Sequence, residues 1–193
     1  MLWSMTLAVT GAPALTAEDV RRLYVAHAPE LRLTIARLAA PGMDIDDLLQ
    51  EVFVVALQRV SELSGVASTR AWLFGVAAKL TATRRRTFRL RYWLGLEAAD
   101  ELSSAESPSR TVEQKEASRR VQDALASLSD AKRQVFVLFE LQGLPGEDIA
   151  QALGIPLKTV WSRLFYARKE FQQAVARQDA QEQFRSFRGT RHG

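Results

Sequence analysis

The stretch LPGEDIAQALGIPLKTVWSRLFYARKEF, Leu144 to Phe171, decides the fold. Pro145 suits the first turn of a helix, where its missing donor would be unpaired anyway, and Glu147 and Asp148 meet the partial positive charge of that end. Ile149, Ala150 and Leu153 keep helical spacing. Gly154 then stops the helix, because glycine takes the left-handed cap without a Cβ penalty. Ile155 plugs the corner, and Val160, Leu164, Ala167 and Phe171 mark one face of a longer helix. Short helix, glycine turn, longer helix is the helix-turn-helix pattern, whose second helix enters the major groove of DNA. The outward positions of that helix include Lys158, Thr159, Ser162, Arg163 and Arg168, side chains that read base edges or bind phosphate. A plain helical hairpin with a solvated basic face would carry similar charge. Ala150, Gly154, Ile155 and Val160 fall where the motif needs small or apolar residues, which favours DNA binding.

Upstream of this unit the chain reads as helix nearly everywhere and shows no strand pattern. Val20, Leu23, Tyr24 and then Leu31, Ile35, Leu38 keep helical spacing on either side of Pro29, which can open a helix. Asp44 is an N-cap for a helix burying Ile45, Leu48, Leu49, Val52, Phe53, Ala56, Leu57 and Val60. A further helix runs from Arg70 to about Arg89. The segment EAADELSSAESPSRT has no apolar stripe and reads as a linker. The expected architecture is all-α: two small helical domains on a flexible linker, the C-terminal one a helix-turn-helix. Its divisions are a loose leader at 1–15, a helical domain at 16–94, an acidic linker at 95–118, the helix-turn-helix domain at 119–176 and a basic tail at 177–193. Within this scheme the second helical unit starts near Glu113.

The formal net charge of +4 is unevenly placed over the 193 residues. Arg70, Lys79, Arg84, Arg85, Arg86, Arg89 and Arg91 occur with no acid among them, an acid-rich stretch follows, and a basic excess returns from Leu157. Basic blocks around an acidic link suit a polyanion met at two places. The chain has no cysteine, so disulfides and thiolate metal sites are excluded, and His27 and His192 are far apart. No catalytic residues, no metal and no cofactor are expected: carboxylate pairs, nucleophile–base sets and glycine-rich phosphate loops do not stand out. No apolar run is long enough to span a bilayer, so membrane insertion is not expected and the cytoplasm is the default compartment.

DIDDLLQEVFVVALQRV, Asp44 to Val60, poses a second question. At 3.6 residues per turn, Asp47, Gln50, Glu51, Val54 and Gln58 gather opposite the buried stripe. A solvated first turn accounts for Asp46 and Asp47, but not for Val54. Carboxylates around an apolar residue suit a basic, partly apolar partner helix. TRAWLFGVAAKLTATRRRTFRLRYW sets aromatics among cations, a composition suited to single-stranded nucleic acid. Part of that aromatic set is packing, since Trp72, Leu73, Val76 and Leu80 share a face. Lys79, Arg84, Arg85 and Arg86 are the better contact candidates.

DIDDLLQEVFVVALQRV, then STRAWLFGVAAKL and the triple arginine, resembles region 2 of bacterial RNA polymerase sigma factors, and LSDAKRQVFVLFELQGLPGEDIAQALGIPLKTVWSRLFYARKEF is similar to their region 4. The size, with only a linker between, resembles the extracytoplasmic-function (ECF, group IV) class. The resemblance implies a promoter-specificity subunit that binds core RNA polymerase through Asp46, Asp47, Gln50, Glu51 and Val54, against the clamp coiled coil of the largest subunit. A second core contact is implied at the flap of the second-largest subunit. It implies that Trp72, Lys79, Arg84, Arg85 and Arg86, with the loop from Gly65 to Thr69, hold the melted −10 element. Lys158, Thr159, Ser162, Arg163 and Arg168 would read the −35 element as duplex. Promoter DNA, both double- and single-stranded, is thus a partner, and an anti-sigma factor is a common one in the family. The chain departs from the family pattern at Lys79, where asparagine is common, at Trp161, where lysine is usual, and at Gly146, where tyrosine is common. A stand-alone helix-turn-helix regulator is the alternative, and it leaves the acidic-plus-valine face without a purpose.

Overall fold

The computed structural model describes residues 16–63, 66–93 and 111–189. The leader, Gly65, most of the linker and the end of the tail lie outside the described residues. Among those described, every element is helical and there is no strand.

Helix α1 (Ala17–Leu38) starts on a capping box in which the Thr16 hydroxyl accepts from the Asp19 N–H and the Asp19 carboxylate accepts from Thr16. It runs straight through Pro29, where a new helix start is expected from the sequence. The proline removes the bond to the Val25 carbonyl, on a stretch where Val25 is 68% exposed. Val20, Ala28, Leu31, Ile35 and Leu38 hold one buried stripe across the site. Helix α2 (Ile45–Gln58) is capped by Asp44, whose carboxylate accepts from the N–H groups of Asp46 and Asp47 at 2.9 Å each. It buries Leu48, Leu49, Val52, Phe53 and Ala56. Leu57, expected inside, is 49% exposed, because it lies roughly 100° around the helix from the centre of that stripe. A short helix α3 (Val60–Leu63) leads to α4 (Thr69–Trp93).

Helix α5 (Val112–Ala126) opens on a second capping box, Thr111 with Gln114, so residues 112–118, placed in the linker by the sequence, are helical. Helix α6 (Asp130–Phe136) continues into a π-helical turn over Val137–Leu141. The corner between α5 and α6 is built on Arg133, which is 2% exposed. Its guanidinium donates to the carbonyls of Leu125 at 2.7 Å, Ala126 at 2.9 Å and Leu128 at 3.0 Å. It thus supplies donors that the C-terminus of α5 lacks and meets the negative end of that helix dipole. Helix α7 (Gly146–Leu153) ends at Gly154 with φ 69° and ψ 42°, the left-handed cap expected from the sequence. Helix α8 (Leu157–Gly189) runs well into the residues expected as a tail. Ala174 is buried, Arg120 of α5 pairs with Asp179 and Glu182, and the Gln178 amide donates to the Arg120 carbonyl at 3.1 Å, which holds the extension down.

The two helical units are in direct contact. Buried residues of α1, α2 and α4 form one continuous core with those of α5 to α8. Gly75 of α4 meets Ala152 of α7 so closely that a Cβ on residue 75 would lie 2.7 Å from the Ala152 Cβ and 2.9 Å from its carbonyl oxygen. Backbone carbonyls are read across the seam as well. Arg70 donates to Gln142 O at 3.0 Å, Gln134 to Ala78 O at 2.8 Å and Gln122 to Ala36 O at 2.7 Å.

Replacing Arg133 by leucine leaves three carbonyls short of a donor in a buried corner, and costs about 3 kcal/mol. Thermal unfolding of Arg133→Leu followed by circular dichroism is expected to show a clearly lowered midpoint. An unchanged midpoint would mean that the corner is held by packing alone.

Candidate nucleic-acid interface

On α8 the buried line Val160, Leu164, Ala167 and Ala174 fixes which side faces outward. Lys158 and Ser162 are exposed on the opposite side, and Thr159 and Arg163 are half-buried on one flank. Arg168, expected as a DNA contact, is engaged within the chain: its Nε donates to Glu140 at 2.6 Å and its guanidinium lies 5.5 Å from the centre of the Phe139 ring. Phe165 and Tyr166, not singled out from the sequence, are 65% and 52% exposed, and their rings meet edge to face at 5.3 Å. Their signal was available, since they lie three and four residues beyond Ser162 and away from the buried line. Exposed Lys169 continues the same face.

Two departures from the family pattern turn out to be one. Trp161 sets its indole edge to face on Phe139, with ring centres 5.5 Å apart. It also covers buried Gly146 at the start of α7: a Cβ there would meet the indole Cζ2 at 2.6 Å and Cη2 at 2.8 Å. The ring thus takes up room that a larger residue at 146 would need. At 44% exposure Trp161 is a strut between the two helices of the motif.

The α4 candidates divide. Trp72 is half-buried against the core. Lys79 is at the surface, yet burial and then the nearby Arg59 cation hold its ammonium below the usual lysine range. An incoming anion would offset the repulsion from Arg59. Arg86 is exposed. Arg84 is held by α2, donating to Glu51 at 2.9 Å with Asp47 at 3.7 Å, and these partners raise its already high pKa, the hydrogen bond to Glu51 first. Arg85 is not an exposed contact: its side chain is 12% accessible. It donates to Asp130 at 3.0 Å and to the carbonyls of Leu38 and Ala39 at 3.1 and 3.0 Å, and burial pushes its pKa down.

On α2, Gln50 is exposed, Val54 is 49% exposed and Asp47 lies on the surface beside them, as the helical wheel requires. Asp46 faces α1, where Arg32 donates to it at 2.7 Å and holds its carboxyl below the usual range. The acidic face of α2 and the basic run of α4, separate in the sequence, therefore touch through Arg84. Among the described residues no group of His, Asp and Glu has the arrangement of a metal site, and no helix is long and apolar enough to cross a membrane.

Comparison with known proteins fits this geometry. Residues 23–90 match sigma-70 region 2, and residues 118–171 match sigma-70 region 4. Over 162 residues the chain is 35% identical to the ECF RNA polymerase sigma factor SigL of Mycobacterium tuberculosis, covering 82% of this chain and 90% of that protein. The chain belongs to the ECF sigma factors of the sigma-70 family. It is 28% identical to the ECF sigma-E factor of Escherichia coli over 144 residues, 70% of this chain and 75% of that one. The fold is that of the sigma factor RpoE from Bartonella quintana, solved with the anti-sigma factor NepR. That match has a TM-score of 0.66 and 20% identity over 83% of this chain and 98% of RpoE. CnrH, solved with the cytosolic domain of CnrY, gives a TM-score of 0.61 and 24% identity over 86% of this chain and 90% of CnrH. This ECF factor is accordingly a promoter-specificity subunit of RNA polymerase, a regulatory subunit that binds core enzyme and promoter DNA.

The fit of Trp161 over Gly146 gives a double-mutant test. Gly146→Ala alone should destabilise the chain, and so should Trp161→Ala, by loss of the ring. Together they should cost about 1–3 kcal/mol less than the sum, because removing the indole opens the space the new methyl needs. Simple additivity in thermal unfolding would place the indole elsewhere.

Proposed function

We propose that this sigma factor docks the outer face of α2 on the clamp coiled coil of the largest polymerase subunit. In the same reading it holds melted −10 DNA along α4 and the loop before it, and reads the −35 duplex with α8. The observation that carries the docking assignment is Val54: an apolar side chain half in water, beside exposed Gln50 and surface carboxylates, on a helix whose opposite face is fully packed. The carboxylates have partners within the chain, but half-exposed Val54 among them suits a basic, partly apolar helix. Asp47, Gln50 and Val54 are the centre of the face. Glu51 takes part after leaving Arg84, and Asp46 is a flank tied to Arg32.

On α8, Lys158 clamps phosphate and Ser162 reaches base edges, with Thr159 and Arg163 at the groove walls. Phe165 extends the reading surface by apolar contact with a thymine methyl. On α4, Lys79, Arg84 and Arg86 line the −10 path, and Arg168, half accessible beside Glu140, flanks the reading face of α8. The second unit also meets the flap of the second-largest subunit. An anti-sigma factor is a further partner, as for RpoE, and the working compartment is the cytoplasm.

Purified core polymerase transcribes a cognate promoter only when the chain is added; activity independent of core, or operator binding alone, would sink the reading. Asp47→Lys combined with Val54→Glu changes two surface residues, so helicity should stay at the wild-type level. Co-purification with core should be lost, since reversing a desolvated charge and burying a new one together cost several kcal/mol. Retained co-purification would move the docking face off α2. In the holoenzyme, Lys158→Ala should weaken all promoters by a similar factor and lower the log–log salt slope by about one. A change confined to particular −35 positions would instead make Lys158 a base reader.

A further inference from the structure

Thr87 directly follows Arg84, Arg85 and Arg86, and no other serine or threonine in the chain has three basic residues before it. It is exposed on α4. Its hydroxyl donates to the Thr83 carbonyl of the same helix at 3.3 Å, a weak bond at that length. Beside it lies a groove of about 190 Å³ between α4 and the start of α2, which leaves room for a phosphoryl group. Arg84, Thr87 and Arg91 line the α4 wall, and Asp44 and Asp47 line the α2 wall. Arg84 stands three residues before Thr87 and Arg91 four after it, the two spacings that bring side chains together on a helix. At present Arg84 turns to α2, donating to Glu51 at 2.9 Å with Asp47 at 3.7 Å. Its side chain is 52% accessible, so these pairs are in contact with water and exchange for a stronger anion at little cost.

We propose that Thr87 is a phosphorylation site for an arginine-directed Ser/Thr protein kinase, and that the phosphate draws Arg84 away from Glu51. The Thr87 Oγ attacks the γ-phosphorus of a nucleoside triphosphate. The new O–P bond forms as the bond to the β-phosphate oxygen breaks, the nucleoside diphosphate leaves, and a carboxylate base of the kinase takes the hydroxyl proton. Arginines on the N-terminal side of the acceptor supply the charge pattern that such a kinase reads. Access is local. None of residues 83–91 is fully buried, so the end of α4 unwinds into a kinase cleft by giving up the pairs of Arg85 and Arg89 with Asp130, with no core side chain exposed. The product carries close to two negative charges and three acceptor oxygens. A dianion within one turn of Arg84 and Arg91 outcompetes a single carboxylate for the Arg84 guanidinium. Glu51 is then released to the outer face of α2, while the α4 face gains negative charge. The proposal rests on the reading of α2 as the polymerase face and α4 as the promoter face. A basic partner on α2 is held more tightly and a polyanion along α4 less tightly, so one modification moves the two binding steps in opposite directions.

The test uses the full chain, incubated with ATP and the catalytic domain of an arginine-directed Ser/Thr kinase. Mass spectrometry is expected to find a phosphoryl group on Thr87. Thr87→Ala should take none at that position and should match the untreated chain in core and promoter binding. The phosphorylated chain should reach half-maximal core binding at a roughly two- to ten-fold lower concentration. Its holoenzyme should need several-fold more promoter DNA, and the log–log salt slope of the promoter complex should fall by about one to two units. Thr87→Glu, with one charge in place of two, should move both quantities the same way by less. Its gain in core binding should vanish in the Arg84→Gln background, where Glu51 is already released. The proposal is overturned if Thr87 takes no phosphate. It is equally overturned if the phosphorylated chain binds core and promoter as the untreated one does, or if either quantity shifts the other way. Asp47→Lys combined with Val54→Glu separates this failure from a wider one. If that variant loses core while phosphate leaves core binding unmoved, only the switch falls; if core binding survives both, the docking face on α2 falls with it.

Discussion

The close approach of α4 to α7 at Gly75 and Ala152 is the constraint from which the rest of the arrangement follows. Helix α4 must be covered on two sides at once, and it answers with two kinds of face. Leu73, Phe74 and Ala77 go into the core shared with α1 and α2, while Ala71, Gly75, Ala78 and Ala82 let a second layer of helices come close to the backbone. Close approach exposes carbonyls of one unit to donors of the other, and Arg70, Gln122 and Gln134 use them. A side chain at position 75 would force α4 and α7 to shift, since its Cβ would meet the Ala152 backbone oxygen at 2.9 Å.

Charge follows the same geometry. The basic run of α4 leaves the core where α2 lies on one side and α6 on the other, so its arginines meet carboxylates of both. Arg84 takes Glu51, and Arg85 and Arg89 share Asp130. The groups assigned to polymerase and those assigned to promoter are thus joined through Arg84. Any change that draws Glu51 away leaves the Arg84 guanidinium with Asp47 alone, at 3.7 Å.

Local signals in the sequence were strong where a single chemistry decided them. Asp44 as an N-cap, Gly154 as a left-handed cap and the buried line on α8 could be read directly, because each depends on neighbours within about one turn. The all-α class and the outer position of Val54 followed from period alone. Pro29 misled, since one lost hydrogen bond does not end a helix whose buried stripe continues across it. Leu57 misled because hydrophobic character was counted beyond the width of the stripe. Arg85 and Arg168 were singled out on charge, and only three-dimensional contact reveals their pairs with Asp130 and Glu140. The partnership of Gly146 and Trp161 had no local signal at all: the residues are separated in the chain and meet through the turn of the motif.

Along α4 the seam between the units is lined by small residues. Alanine and glycine bury little apolar surface, and at about 25 cal/mol per Å² a line of them stabilises contact far less than leucines at the same positions would. The arginine pairs around it add modestly, because Arg89 is 54% accessible and salt screens what water reaches. Arg85 is the exception in burial, but desolvation offsets much of what its carboxylate returns. A shape that fits closely, with few large side chains and with charges already near balance, defines one closed arrangement without making it deep.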